Sequence, residues 1–171
     1  MNPAWVVRTG RLVLTPVAYG DMADLVSLKG DPGVYGQMLG GVVPPVRVAE
    51  ELASEILAWA RYGVGIWIVR QPSGEAVGLT GIQDRADGRG MALRFAFRPA
   101  VRGRGLAREA ASAALRFAHD RAVLARVIAV AREDNFSSRT VLGAIGMRPV
   151  AVFTRDAVRL LVFESLVPAR N

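Results

Sequence analysis

No cysteine occurs anywhere in the 171 residues. That excludes a disulfide framework, a thiol nucleophile and a thiolate metal site. No apolar run approaches the roughly 20 residues needed to span a bilayer. The start, Met1-Asn2-Pro3-Ala4-Trp5, lacks the charged opening and apolar core of a signal peptide. The expectation is a soluble cytoplasmic protein with no membrane partner. Lysine occurs once, at Lys29, and histidine once, at His119, so 21 of the 22 Lys and Arg residues are arginine.

The formal net charge is +7. Such a balance invites a nucleic-acid partner, but the arginines are scattered over the whole chain and form no block. The distribution argues against nucleic acid and for a solvated basic surface. One consequence survives: basic charge near an anion site attracts a polyanionic ligand. Apolar residues make up 51% of the chain, enough for a real core. With no repeat, low-complexity segment or linker, residues 1–171 are expected to form a single domain.

Periodicity predicts the elements. Arg11 to Pro16 is a strand with Leu12 and Leu14 on one face. Asp21 starts a short helix, and Gly30 to Pro45 is a long loop. Arg47 to Arg61 places Leu52, Ile56 and Trp59 at spacings of three and four, an amphipathic helix. Strands follow at Ile66 to Arg70, Ala76 to Gln83 and Met91 to Phe97, with turns at Gln71-Pro72-Ser73-Gly74 and Asp87-Gly88. Leu106 to Asp120 is an Ala-rich helix, and Arg126 to Ala131 a buried strand. Asn135 or its neighbour opens another helix that Gly146 ends as a left-handed cap. Two strands close the chain, Met147 to Phe153 and Arg159 to Val167. The strand–helix–strand unit through Leu106 requires a parallel pair inside a mostly antiparallel sheet. The class is α+β.

Arg102-Gly103-Arg104-Gly105-Leu106-Ala107 is the most informative stretch. Two glycines one residue apart, between a strand and a helix, allow a close backbone approach to a ligand. The helix behind them turns free N–H groups and its positive dipole end toward the loop. The loop reads as a phosphate cradle, with an ordinary tight turn as the alternative. A dinucleotide site wants a third glycine where Arg108 stands, and a P-loop wants Lys-Ser or Lys-Thr. Neither is present.

The surrounding residues narrow the ligand. From Phe95 the chain reads Phe-Ala-Phe-Arg-Pro-Ala-Val-Arg-Gly-Arg-Gly-Leu-Ala-Arg-Glu-Ala. This resembles the acetyl-CoA loop of the GNAT superfamily of N-acetyltransferases. Asn135-Phe136-Ser137-Ser138, with Leu142 and Gly146-Met147 behind it, is similar to that family's Asn-x-x-Ser helix. Thr9 to Pro16, Trp59 to Trp67 and Gly78 to Gly81 resemble the RimJ/RimL-type branch, which acetylates N-termini of ribosomal proteins. The resemblance implies a mixed, mostly antiparallel seven-stranded sheet. Its central parallel pair splays, and about four helices flank it.

The resemblance also implies roles. Backbone groups of Phe95, Ala96 and Phe97 would pair with the pantetheine amides. Amides of Arg102, Gly103, Arg104, Gly105, Leu106 and Ala107 would hold the pyrophosphate. Asn135 would hydrogen-bond the pantetheine arm, or serve as a helix N-cap, or both. Ser138, one turn on, would protonate the departing thiolate or orient a water that does, unless it faces solvent. Many relatives carry Glu at the start of the strand before the cradle; here that position is Ala92. Asp84 is the candidate base or amine anchor, with Asp87 near it in the turn. Glu109 is a first-turn dipole partner, and His119 sits at the wrong end of its helix for catalysis. The reagents implied are acetyl-CoA and a primary amine, with no metal. The favoured acceptor is a protein or peptide N-terminal α-amine. The alternatives are a small-molecule amine such as an antibiotic, polyamine or metabolite, and a non-catalytic CoA-binding module. A homodimer is compatible with the sequence.

Overall fold

The computed structural model describes residues 2–167. One mixed sheet organises them. It runs β1 (Val7–Arg8), β2 (Val13–Pro16), β3 (Ile66–Arg70), β4 (Ala76–Asp84), β5 (Met91–Phe97), β6 (Arg126–Arg132), β8 (Val158–Leu166) and β7 (Arg148–Arg155) in spatial order. All neighbours are antiparallel except β5 and β6. Helix α4 (Leu106–Asp120) makes the crossover between those two, as the strand–helix–strand reading requires. Eight strands stand where seven were expected. The extra one is the two-residue β1, which pairs Val7 with Leu14 and is too short to show a period.

The helices differ at one place. Besides α1 (Met22–Lys29), α3 (Pro45–Tyr62), α4 and α5 (Phe136–Ala144), the expected loop from Gly30 contains α2 (Pro32–Tyr35). Asp31 caps it by accepting from the Gly33 amide at 2.7 Å, with Pro32 at the first position. One turn held by a cap and a proline leaves no apolar period to detect.

Alternation within the strands sends side chains to two faces. One face carries Trp67, Val69, Leu93 and Phe97 and packs under α4. There Trp59, Trp67 and Phe117 meet edge to face, with Trp59–Trp67 centroids 4.6 Å apart. Both buried indoles have acceptors: Trp59 donates to the Ile66 carbonyl and Trp67 to that of Trp5. The other face carries Ile66, Ile68, Leu79 and Ala96 under α1, α2 and α3.

The only lysine is buried in this second layer, at 1% exposure. Its Nζ lies 2.8 Å from Glu55 Oε1 and 2.9 Å from Glu51 Oε2, both on α3. The pair ties α1 to α3 across an otherwise apolar seam. Removing one partner would strand a buried charge. Lys29→Met should therefore cost about 3–5 kcal/mol in urea unfolding, and adding Glu55→Leu should recover much of that loss. Equal stability of the single and double variants would show that the seam does not depend on the pair.

Candidate active site

The parallel strands lie side by side with little ladder pairing. Between β5 and β6 the only ladder pair is Ala92 with Ile128. Strand β5 is fully paired with β4 on its other side, and β6 fully paired with β8. From Leu93 to Phe97, β5 therefore turns toward β6 an edge without ladder partners. A cleft of about 350 Å³ opens in the gap. Ala92 to Phe95 line one wall, and Ala129 to Arg132 with Asn135, Ser138 and Leu142 line the other. Met38, just past α2, and Arg155, at the tip of the β7–β8 hairpin, reach the rim.

The glycine loop follows β5 directly. Gly103 and Gly105 have φ of +74° and +75°, and Gly105 is the N-cap of α4. No neighbour crowds either position; the left-handed backbone is what requires glycine. Among the described residues, no group accepts from the amides of Gly103 to Ala107. Free amides above a 15-residue helix are the geometry in which helix N-termini hold phosphate.

Two arginines brace this loop. Arg11 Nη1 donates to the Arg104 carbonyl at 2.8 Å, and Arg11 also pairs with Glu109 at 2.7 Å. Arg102 donates to the Gly33 carbonyl and, at 3.3 Å, to that of Phe97. Its side chain thus links the loop to α2 and to the end of β5.

Asn135 caps α5. Its Oδ1 accepts from the Ser138 amide at 3.1 Å and from the Ser137 hydroxyl at 3.0 Å. That leaves its NH₂ end to donate, so capping and ligand binding are compatible. Ser138 and Asn135 both line the cleft, as the one-turn spacing requires. Asp84 lines it too, exposed at the end of β4. Asp87 is a poor base: hydrogen bonds from Arg85 are the main cause that lowers its pKa to about 2. Ala92 is buried against Ile128 and Val162. His119 lies far along α4 and is bonded to the Leu124 carbonyl and the Ser165 hydroxyl.

The family model described as acetyltransferase (GNAT) domain matches residues 11–148. The chain belongs to the GNAT acetyltransferase family. A GNAT-family acetyltransferase from Bordetella pertussis is 26% identical, with a TM-score of 0.82 over 93% of this chain and 98% of that one. RimL, a ribosomal L7/L12 α-N-protein acetyltransferase in complex with coenzyme A, has a TM-score of 0.80 at 12% identity. That match covers 96% of this chain and 99% of RimL. An acetyltransferase from Salmonella typhimurium that modifies the N-terminal serine of L7/L12 has a TM-score of 0.79 at 13% identity. It covers 95% and 99% of the two chains. The two at 12–13% share the fold. The chain is an acetyl-CoA-dependent N-acetyltransferase.

Within this GNAT site, the braces are what sequence reading missed. Thr9 donates to Glu109 Oε1 at 2.6 Å, and the Arg11 amide donates to the same oxygen at 3.0 Å. Glu109 is therefore more than a dipole partner. It binds the N-terminal segment to the first turn of the cradle helix. The only sequence signal was an acid at the fourth helical position, which many helices share. Burial alone would raise the Glu109 pKa, but the hydrogen bonds from Thr9 and Arg11 and the guanidinium charge outweigh it, and the net shift is downward. A depressed carboxyl pKa stabilises the fold above its unfolded value, near 4.3, and loses that contribution as pH falls through the folded value. Glu109→Gln should thus destabilise the protein at pH 7 in urea unfolding, and the gap to wild type should narrow as pH drops below about 4. A gap independent of pH would mean that the carboxylate charge carries none of the tie.

Proposed function

We propose that this chain acetylates the α-amine at the N-terminus of a protein or peptide, as one acetyltransferase domain over residues 1–171. The observation that carries the reading is the open edge of β5, which meets a glycine cradle at one end and Asn135 and Ser138 across the cleft. Backbone groups of Phe95 and Phe97 face the open edge and pair with the pantetheine amides, while Ala96 between them bonds back to β4. Amides from Gly103 to Ala107 hold the pyrophosphate, the Arg102 amide being bonded to the Pro99 carbonyl, and the Asn135 NH₂ donates to the pantetheine arm. The similarity in fold to enzymes that modify ribosomal-protein N-termini supports an α-amine acceptor.

The transfer is direct, in a ternary complex. The amine attacks the acetyl carbonyl, and a backbone N–H near Phe97 stabilises the oxyanion. The C–S bond breaks, and Ser138 or a water it orients protonates the thiolate. Asp84 anchors the incoming amine at the cleft mouth.

The acceptor has to be neutral to attack, which favours weakly basic amines. An α-amine with pKa about 8 is roughly one-tenth neutral at pH 7, against about one in a few thousand for lysine. In a thiol-release assay, peptides offering an α-amine should outpace matched peptides offering only lysine, on the order of 10²-fold at pH 7. Ser138→Ala should slow kcat with acetyl-CoA affinity preserved. Equal turnover of both peptide classes would favour a broad small-amine acetyltransferase. Acetyl-CoA binding without turnover on any amine would leave a CoA-binding module.

A further inference from the structure

The amine must lose a proton before it attacks, and none of the groups above takes it well. Asp84 is exposed, Asp87 is held ionised by Arg85, and Ala92 has no acid. A third carboxyl lies behind the cleft wall. Glu55, in the middle of α3, is 3% exposed. Its Oε1 accepts from Lys29. Its Oε2 is buried with no hydrogen-bond partner among the described residues. An unpartnered carboxylate oxygen is costly in a protein interior.

Glu55 borders a small cavity of about 10 Å³, together with Tyr35, Met38, Thr80, Arg94 and Phe95. That is space for one water, with the polar partners a buried water needs. Met38, Arg94 and Phe95 also line the main cleft, so the two spaces share a wall. Arg94 has the same strand parity as Ala92, where relatives place their acid, and lies two residues along β5.

We propose that Glu55 is the proton acceptor for the incoming amine, reached from the cleft through one water in the small cavity. The inference rests on the acetyltransfer reading above. An ammonium N–H bond breaks and its proton passes to the water, which gives one of its own protons to Glu55 Oε2. The electron pair stays on nitrogen and forms the new C–N bond as the C–S bond breaks. The second amine proton reaches the sulfur through Ser138 or water, and Glu55 returns its proton to solvent. The products are the amide, the CoA thiol and one proton.

The charges around Glu55 suit this role. Lys29 on α1, Tyr35 on α2, Glu51 on α3 and Arg94 on β5 face it. Burial, the largest influence, raises its pKa; Lys29 and Arg94 pull it back, Glu51 adds to the rise, and the net is upward. Lys29 keeps Glu51 as a partner when Glu55 is neutral. Arg94, fixed on Gln83 at 2.7 Å, lowers the pKa of an ammonium in the cleft by like charge.

The test is kcat/KM against pH, from 6 to 10, for a peptide α-amine. In Glu55→Gln the rate at pH 7 should fall on the order of 10²-fold. Its acid limb should move up to the pKa of the amine, near 8, and the gap to wild type should close above that. Acetyl-CoA affinity should be unchanged. A merely structural Glu55 would lower the rate equally at every pH, and that result, or an unchanged profile, overturns the proposal. Tyr35→Phe keeps the Lys29–Glu55 pair and removes one partner of the water. It should shift the limb in the same direction by less, and it decides the question if Glu55→Gln does not fold. A wild type that turns over no amine overturns the acetyltransfer reading, and this proposal with it. An active wild type whose profile both variants keep overturns Glu55 alone.

Discussion

A sheet that has to stay open in its middle is the constraint on which this protein depends. Strands β5 and β6 share a single ladder pair and then diverge. Unpaired backbone edges inside a protein are costly, so a splay persists only if something else holds both strands. Here each strand is locked on its far side. Seven consecutive pairs join β4 to β5, and seven join β6 to β8. Helix α4 packs across the divide, with Ala110, Ala111, Ala113 and Ala114 buried. Small side chains let the helix lie close to the sheet. The two halves of the sheet are thus joined by Ala92–Ile128 and by the core that packs under this helix, and the cleft is the gap between them.

The cradle inherits its rigidity from elsewhere in the chain. A loop with two left-handed glycines has a large entropy to lose. Arg11 and Arg102 fasten it from opposite sides, to the N-terminal segment and to α2. Both guanidinium groups donate to carbonyls, which leaves the loop's amides for an anion. Positive charge is also kept beside the cradle without occupying it. In this way, groups distant in sequence fix the geometry of a site whose own residues are mostly main chain.

Much of this was legible in sequence because it is local. Strands β3 and β5 and helix α4 have the boundaries that periodicity and turn residues predict, since each has a clean apolar pattern between Gly or Pro signals. The Asn135 cap is equally local: its oxygen reaches an amide three residues on. The parallel pair followed from one strand–helix–strand unit. What sequence did not show is non-local. Thr9 and Arg11 meet Glu109 about 100 residues away, and nothing in either segment names the other. Helix α2 is too short to have a period, and β1 pairs through two residues.

The buried polar layer under β5 is the clearest example of this limit. Lys29, Glu51 and Glu55 sit at ordinary helical spacings, where charged residues usually form a solvated face. Only packing α1 on α3 puts the sole lysine and Glu55 out of water, and burial is what changes their chemistry. An ion pair in such a seam adds little stability over apolar side chains of the same shape. That makes its presence hard to explain by stability alone. Nor does a pair need a free carboxylate oxygen: a seam serving only to tie two helices would be better with Oε2 bonded. The residue instead borders a water-sized cavity that shares a wall with the cleft where an amine has to lose a proton. Buried charge, unmet bonding capacity and adjacency to the reaction together mark Glu55 as a functional residue, although its sequence position gives no hint of it.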